Sequence, residues 1–164
     1  MNIRRSKHGF APIIDENSKI LILGSVPSVK SVESGFYYMN PQNRFWRTLS
    51  SITGVDFEKL SKEEKTQELL NLGIAIYDVV DECDVRGSSD SKISNATKND
   101  IPSLIERGKI EKIFCNGKTA YRYFCKFYPE LLDITSVKPS TSSANARFSL
   151  SDLVEEWKEI AEYI

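Results

Sequence analysis

The sequence predicts an α/β protein: a three-layer αβα sandwich around a central four-stranded, mainly parallel sheet. Three observations point there. Short apolar runs recur along the chain, helix-like stretches separate them, and those stretches carry readable cap residues. The first run, "KILILGS" (19–25), is continuously apolar, as a strand covered on both faces must be. "GIAIYDVV" (73–80), "KIFCNG" (112–117) and "DITSV" (133–137) are the other three strands. Between the first two, Asn40 and Pro41 read as an N-cap followed by proline at the first helical position. Phe45, Trp46, Leu49 and Ile52 then share one face of that helix. Ser61 with Glu64 forms a capping box, and Gly73 ends the helix it opens. A helix near 99–107 and another over Lys118–Phe127 follow. The last is "SLSDLVEEWKEIAEYI", with Leu150, Leu153, Val154, Trp157, Ile160, Ala161 and Ile164 on one stripe.

A chain of 164 residues fits one domain, 1–164, able to bury a core without staples. No repeat or low-complexity segment divides it. Hydrophobic residues at 40% and charged residues at 27% are ordinary for a globular protein, and no apolar run nears the roughly 20 residues of a membrane span. "MNIRRSKHGFAPIID" is basic but lacks the apolar stretch of a secretory signal, so a cytoplasmic protein is expected. Cys83, Cys115 and Cys125 form no C-x-x-C pair, and His8 is the only histidine. Neither a metal nor another cofactor is expected from so sparse a ligand set.

The net charge of −1 argues at first against nucleic acid, but it is unevenly spread. The last thirteen residues hold five acids against Lys158, and the remainder, with 21 basic and 18 acidic residues, stands at +3. Lys118, Arg122 and Lys126 recur every four residues, a basic stripe that is either a solvated face or a phosphate track.

In parallel sheets, ligands bind beyond the carboxyl ends of the strands. Those ends are Gly24-Ser25-Val26-Pro27-Ser28, Asp78, Asn116-Gly117 and the small polar loop "KPSTSSANAR". "GFYYMNPQNRFW" (35–46) lies on the same edge and crowds Phe36, Tyr37, Tyr38, Phe45 and Trp46 around two asparagines. His8 falls in the N-terminal arm, and the chain has no G-x-S-x-G, G-x-x-x-x-G-K-[ST] or G-x-G-x-x-G. What remains at the edge is aromatic faces, carboxamides and one carboxylate. That set suits stacking a planar heterocycle and hydrogen-bonding its rim.

"ILILGSVPS", "GFYYMNPQNRFW" and "KPSTSSANARFSL" together resemble the uracil-DNA glycosylase superfamily, most closely its hypoxanthine-DNA (deoxyinosine) glycosylase branch, with the mismatch-specific uracil/thymine glycosylases as relatives. The resemblance runs from "HGFAPI" to the final helix. It implies a base-excision repair hydrolase, a monofunctional glycosidase needing no cofactor and acting as a monomer on double-stranded DNA. A deaminated base, hypoxanthine or secondarily uracil, would be flipped into the crevice and cut from its sugar, leaving an abasic site. No lysine is placed as a Schiff-base nucleophile.

By that resemblance Tyr38 stacks on the flipped base, with a core tyrosine as the alternative. Asp78 ends the second strand where relatives place a base-reading asparagine; otherwise it is an exposed acid or a cap. Gly24 and Ser25 belong to the same base-binding set. Val26 stands where many relatives carry Asn or Asp to orient water, and Asn43 is the expected catalytic substitute. As N3 of the helix capped by Asn40, Asn43 has a structural alternative, serving backbone N–H groups. An amide is no base near neutral pH, so its role is water orientation or hydrogen-bonding the leaving group. Lys138, Pro139, Ser140, Thr141 and Ser142 open a loop expected to enter the minor groove, and Lys118 and Arg122 are expected on phosphates. Two other classes stay open: a lesion-binding module without catalysis, prompted by Val26, and an unrelated small-ligand α/β domain.

Overall fold

The computed structural model describes residues 3–86 and 93–164. Its strands are β1 (Ile3–Lys7), β2 (Ile20–Gly24), β3 (Ile74–Asp78), β4 (Val80–Arg86), β5 (Ile93–Lys98), β6 (Lys112–Asn116) and β7 (Thr135–Lys138). Its α-helices are α1 (Val29–Ser34), α2 (Phe45–Thr53), α3 (Lys62–Leu72), α4 (Ile101–Arg107), α5 (Lys118–Phe127) and α6 (Leu150–Trp157).

The four expected strands form one parallel sheet in the order β3-β2-β6-β7. The central strand β2 is buried along its whole length and divides two cores. Ile20 and Ile22 face Phe45, Trp46, Leu49, Leu69, Leu153 and Trp157, from α2, α3 and α6. Leu21 and Leu23 face Ile101, Leu104, Ala120 and Phe124, from α4 and α5. That alternation makes three layers.

A second sheet, antiparallel in the order β1-β4-β5, lies outside the expectation. It completes the second core with Val80, Cys83, Val85 and Ile93. Its strands, "IRRSK", "VDECDVR" and "ISNATK", are mostly polar because only one face is covered. Register shifts between Val80, Glu82 and Asp84 also break the two-residue alternation that would have signalled a strand. The run expected over 73–80 therefore splits, with β3 ending at Asp78 and Val80 opening β4.

Helix ends follow their caps, with one correction. Ser61 and Glu64 form the capping box of α3, and Gly73 closes it at φ 80°. Asn40 and Pro41, however, do not start α2. Asn40 holds a separate turn, accepting at Oδ1 from Gln42 N (3.0 Å) and at its carbonyl from Asn43 N (2.9 Å). The helix begins at Phe45, so Asn43 lies just outside it rather than at N3. Locally Asn-Pro satisfies a turn as well as a helix start, which is why spacing misplaces the boundary. The last helix is also shorter than its stripe. α6 ends at Trp157 and tightens into a 3₁₀ turn over Lys158–Glu162, leaving Ile164 exposed.

Candidate active site at the carboxyl edge of the parallel sheet

The carboxyl ends of β2, β3, β6 and β7 deliver Gly24 and Ser25, Asp78, Asn116 and Lys138 to one edge of the sheet. The segment before α2 and the loop after β7 close over that edge and are tied to each other. Arg44 N donates to the carbonyl of Thr141 at 2.9 Å. The Arg44 guanidinium donates to the carbonyls of Ser142 (2.9 Å), Asn145 (3.1 Å) and Phe148. From behind, Trp157 Nε1 donates to the Pro139 carbonyl at 2.9 Å. Gly117 lets the loop settle on β6. Its φ is 97°, and Ser140 Cβ stands 2.9 Å from where a Gly117 side chain would begin. The loop is pinned, not free.

Inside this frame a chain of side-chain hydrogen bonds ends on Asn43. Thr141 N donates to Asn116 Oδ1 (3.0 Å), so Asn116 must turn Nδ2 to Thr141 Oγ1 (3.0 Å). The threonine hydroxyl then gives its hydrogen to Asn43 Oδ1 at 2.8 Å. Phe45 N, which can only donate, reaches the same oxygen at 2.9 Å. A carboxamide oxygen has two lone pairs, and both are filled. Asn43 is therefore left with its Nδ2 donors to present. Two backbone N–H groups fix the sense of the chain, and each bond polarises the next.

Asn43 lines a cleft of about 200 Å³ with Tyr38, Asn40, Trp46, Arg47 and Lys65 among its walls. Tyr38 is a non-glycine residue at φ 53°, and its ring lies on Phe45 with centroids 4.0 Å apart and planes 18° apart. Lys65 donates to the Leu60 carbonyl at 2.8 Å and sits over the Trp46 ring. Burial lowers its pKa, with Glu58 and then Glu64 opposing.

At the carboxyl end of β3, Asp78 is neither exposed nor a helix cap, and it lies outside the walls of that cleft. It is 3% exposed, and Oδ2 meets His8 Nε2 at 2.8 Å. Asp78 Oδ1 occupies the space a Gly24 Cβ would need, and Tyr38 Oη lies 3.2 Å from that point. Gly24, Tyr38 and Asp78 thus converge, as the sequence led us to expect. Ser25 beside them is buried, and its carbonyl accepts from Val80 N at 3.1 Å. Asn99 Nδ2 locks the turn after β3, donating to the carbonyls of Asp78 (2.9 Å) and Val80 (3.2 Å). Val26 packs against the second core and offers nothing polar but its backbone.

Two residues expected on DNA are used otherwise. Thr141 is 1% exposed, with its hydroxyl consumed between Asn116 and Asn43, so it supports the site from within. Lys138 is half-buried and donates to Glu159 Oε1 at 2.7 Å, an internal ion pair that competes with any phosphate. Ser140 Oγ accepts from Ser142 N, and Ser142 Oγ accepts from Ala144 N, both at 3.2 Å. Lys118 and Arg122 are exposed on α5. Cys115 is buried, which pushes its thiol up to about 12 with a smaller contribution from Cys125; it stays a thiol. Among the described residues no group of His, Cys, Asp and Glu is arranged to hold a metal ion, and no helix is long and apolar enough to cross a membrane.

Sequence reasoning missed His8, Asn116 and Arg44. His8 lies 70 residues from its partner and carried no local signal. Asn116 had one, a polar residue before glycine at the end of a buried strand. Arg44 had another, sitting within the most distinctive block of the chain.

Residues 11–161 match the uracil DNA glycosylase superfamily. A hypoxanthine DNA glycosylase of Methanosarcina acetivorans is 37% identical over 158 residues, spanning 94% of this chain and 97% of that protein. One from Methanosarcina barkeri is 34% identical over 157 residues, spanning 93% and 96%. A solution NMR structure from Methanosarcina acetivorans, described as a uracil DNA glycosylase, superposes with a TM-score of 0.80 at 37% identity, covering 97% of this chain and 96% of that one.

Proposed function

The chain belongs to the uracil DNA glycosylase superfamily, and from that membership we propose that it removes hypoxanthine from double-stranded DNA, with uracil as a secondary substrate. The lesion nucleotide rotates out of the duplex, its base enters the crevice beside Tyr38, and water replaces the base at the sugar. The product is an abasic site. A single domain over 1–164, working as a monomer, accounts for the reaction. The two relatives named above are hypoxanthine DNA glycosylases, which supports placing hypoxanthine ahead of uracil.

One observation carries the mechanism: Asn43 Oδ1 is saturated by Phe45 N and Thr141 Oγ1. Cleavage of the N-glycosidic bond leaves positive charge on the sugar and negative charge on the departing base. A rigid N–H donor aimed at that base stabilises the charge as it develops, without protein reorganisation. Orienting water by accepting its hydrogen would need the oxygen that is already occupied. Asn43 is thus read as the donor to the leaving group, the second of the two roles open to an amide. Lys65, the lysine in the cleft wall, is held by the Leu60 carbonyl and the Trp46 ring, which favours hydrolysis over a Schiff-base route. Ser140 and Ser142 keep hydroxyl hydrogens for phosphate oxygens, and Lys118 and Arg122 supply charge along α5.

Duplex oligonucleotides bearing hypoxanthine, uracil or xanthine, incubated with the protein and then cleaved at abasic sites by alkali, test this directly. Strand scission at hypoxanthine, faster than at uracil, is the expected result. Scission confined to uracil would reassign the substrate. Val26 favours one rival, a module that binds lesions without cutting. Tight lesion binding with every base intact would establish it.

A further inference from the structure

His8 takes no part in the reaction as derived above, yet it is held as few histidines are. Its side chain is 1% exposed, and that of Asp78, which its ring meets, is 5% exposed. The rings of Phe10 (4.4 Å), Tyr77 (4.7 Å) and Tyr37 (6.0 Å) surround it. Among the described residues Nδ1 is buried without a hydrogen-bond partner. A phenylalanine would fill an aromatic box without orphaning a polar atom, so packing alone does not call for histidine. What His8 adds is one bond, to Asp78 Oδ2 at 2.8 Å.

That bond decides what Asp78 can offer. Whichever partner holds the shared hydrogen, it lies along the line from Nε2 to Oδ2, so Oδ1 is left only as an acceptor. Oδ1 is turned into the corner formed by Gly24 and the Tyr38 hydroxyl, at the ligand-binding edge of the sheet. Gly24 gives it room there. Without His8, a buried carboxyl group could carry its proton on Oδ1 and become a donor.

We propose that His8 is a positioning residue that fixes Asp78 as an obligate acceptor for a ring N–H next to a carbonyl, and that the pair thereby separates a deaminated base from its parent. The inference rests on the glycosylase reading and deepens it. Hypoxanthine presents such an N–H at N1 and uracil at N3. Adenine and cytosine present a bare lone pair at the same positions. Deamination turns that nitrogen from acceptor into donor, and an acceptor-only reader pairs with the second and not the first. Guanine carries N1–H and thymine N3–H, so this pair does not exclude them.

Single-turnover cleavage of duplexes with hypoxanthine or 1-deazahypoxanthine, which has C–H in place of N1–H, tests the assignment. Wild-type protein should cut the deaza base roughly 10- to 100-fold more slowly, the cost of leaving a buried acceptor without its partner. In His8→Ala hypoxanthine cleavage should fall, while the deaza penalty shrinks to about threefold or less, because the acceptor is no longer fixed. His8→Gln, whose side-chain N–H can take the place of Nε2, should recover much of both. A merely structural histidine would slow both bases equally, so an unchanged penalty in His8→Ala overturns the proposal. Should His8→Ala fail to fold, Asp78→Asn decides, since its amide can turn either face to the base; a penalty equal to that of wild type is again fatal. If wild type leaves hypoxanthine intact but cuts uracil, the substrate assignment fails alone, and uracil against 3-deazauracil tests the pair in the same way. If wild type cuts none of these bases, both ideas fall.

Discussion

The two flanks of the crevice are built on opposite principles. On the Asn43 side the relay from Asn116 through Thr141 to Asn43 is made of neutral groups, and two backbone N–H groups fix the direction of each of its hydrogen bonds. On the Asp78 flank an ionisable pair is sunk among aromatic rings, with one imidazole nitrogen unsatisfied. The first arrangement gives a donor of fixed orientation that solvent pH does not touch. The second gives an acceptor whose orientation depends on the imidazole that holds its other oxygen. A reaction that both recognises a base and stabilises its departure needs each: the recognising group must match a specific edge, and the stabilising group must not move.

The sharpest way to break the contrast is Asn43→Ala. Removing one preorganised donor should lower turnover about 100- to 1,000-fold while DNA affinity, measured by gel shift, stays near wild type. An equal loss in binding would move Asn43 from the leaving group to the ground-state complex. Next is Arg44→Ala, which strips the donors from the carbonyls of Ser142, Asn145 and Phe148. Stability in urea should fall by about 3 kcal/mol, because buried carbonyls lose charged partners. An unchanged midpoint would show that the loop needs no such anchor. Thr141→Val keeps the shape but removes the hydroxyl between Asn116 and Asn43. It should cost about 1–2 kcal/mol of stability and release Asn43 to turn, slowing cleavage about 10-fold. The smallest effects concern the cations. Lys118→Ala and Arg122→Ala should each reduce the slope of log affinity against log salt by about one, whereas Lys138→Met, already paired with Glu159, should leave the slope alone.

The same contrast explains what was legible in the sequence. The parallel sheet was, because a strand covered on both faces must be apolar throughout, as Ile20–Gly24 is. The antiparallel sheet was not, since one covered face and two register shifts leave no clean alternation in "VDECDVR". Tyr38, Asn43 and Asp78 were named because each sits in a distinctive block or at a strand end. His8 was set aside because nothing within the N-terminal arm indicates that it folds under the edge of the sheet. Asn43 was found, but its orientation was not: that follows from Thr141, 98 residues away. Thr141 is expected on DNA with the rest of its loop, and only its burial shows that it faces inward.

The last helix carries a consequence for how the enzyme comes into being. Trp157 and Glu159 hold the loop that places Thr141, and Thr141 holds Asn43. His8, at the other end of the chain, must reach Asp78 across 70 residues. The placement of Thr141 and Asn43 therefore requires the segment that carries Trp157 and Glu159 to be docked, however early β2 and β3 pair. Contacts this distant in sequence also form late in folding.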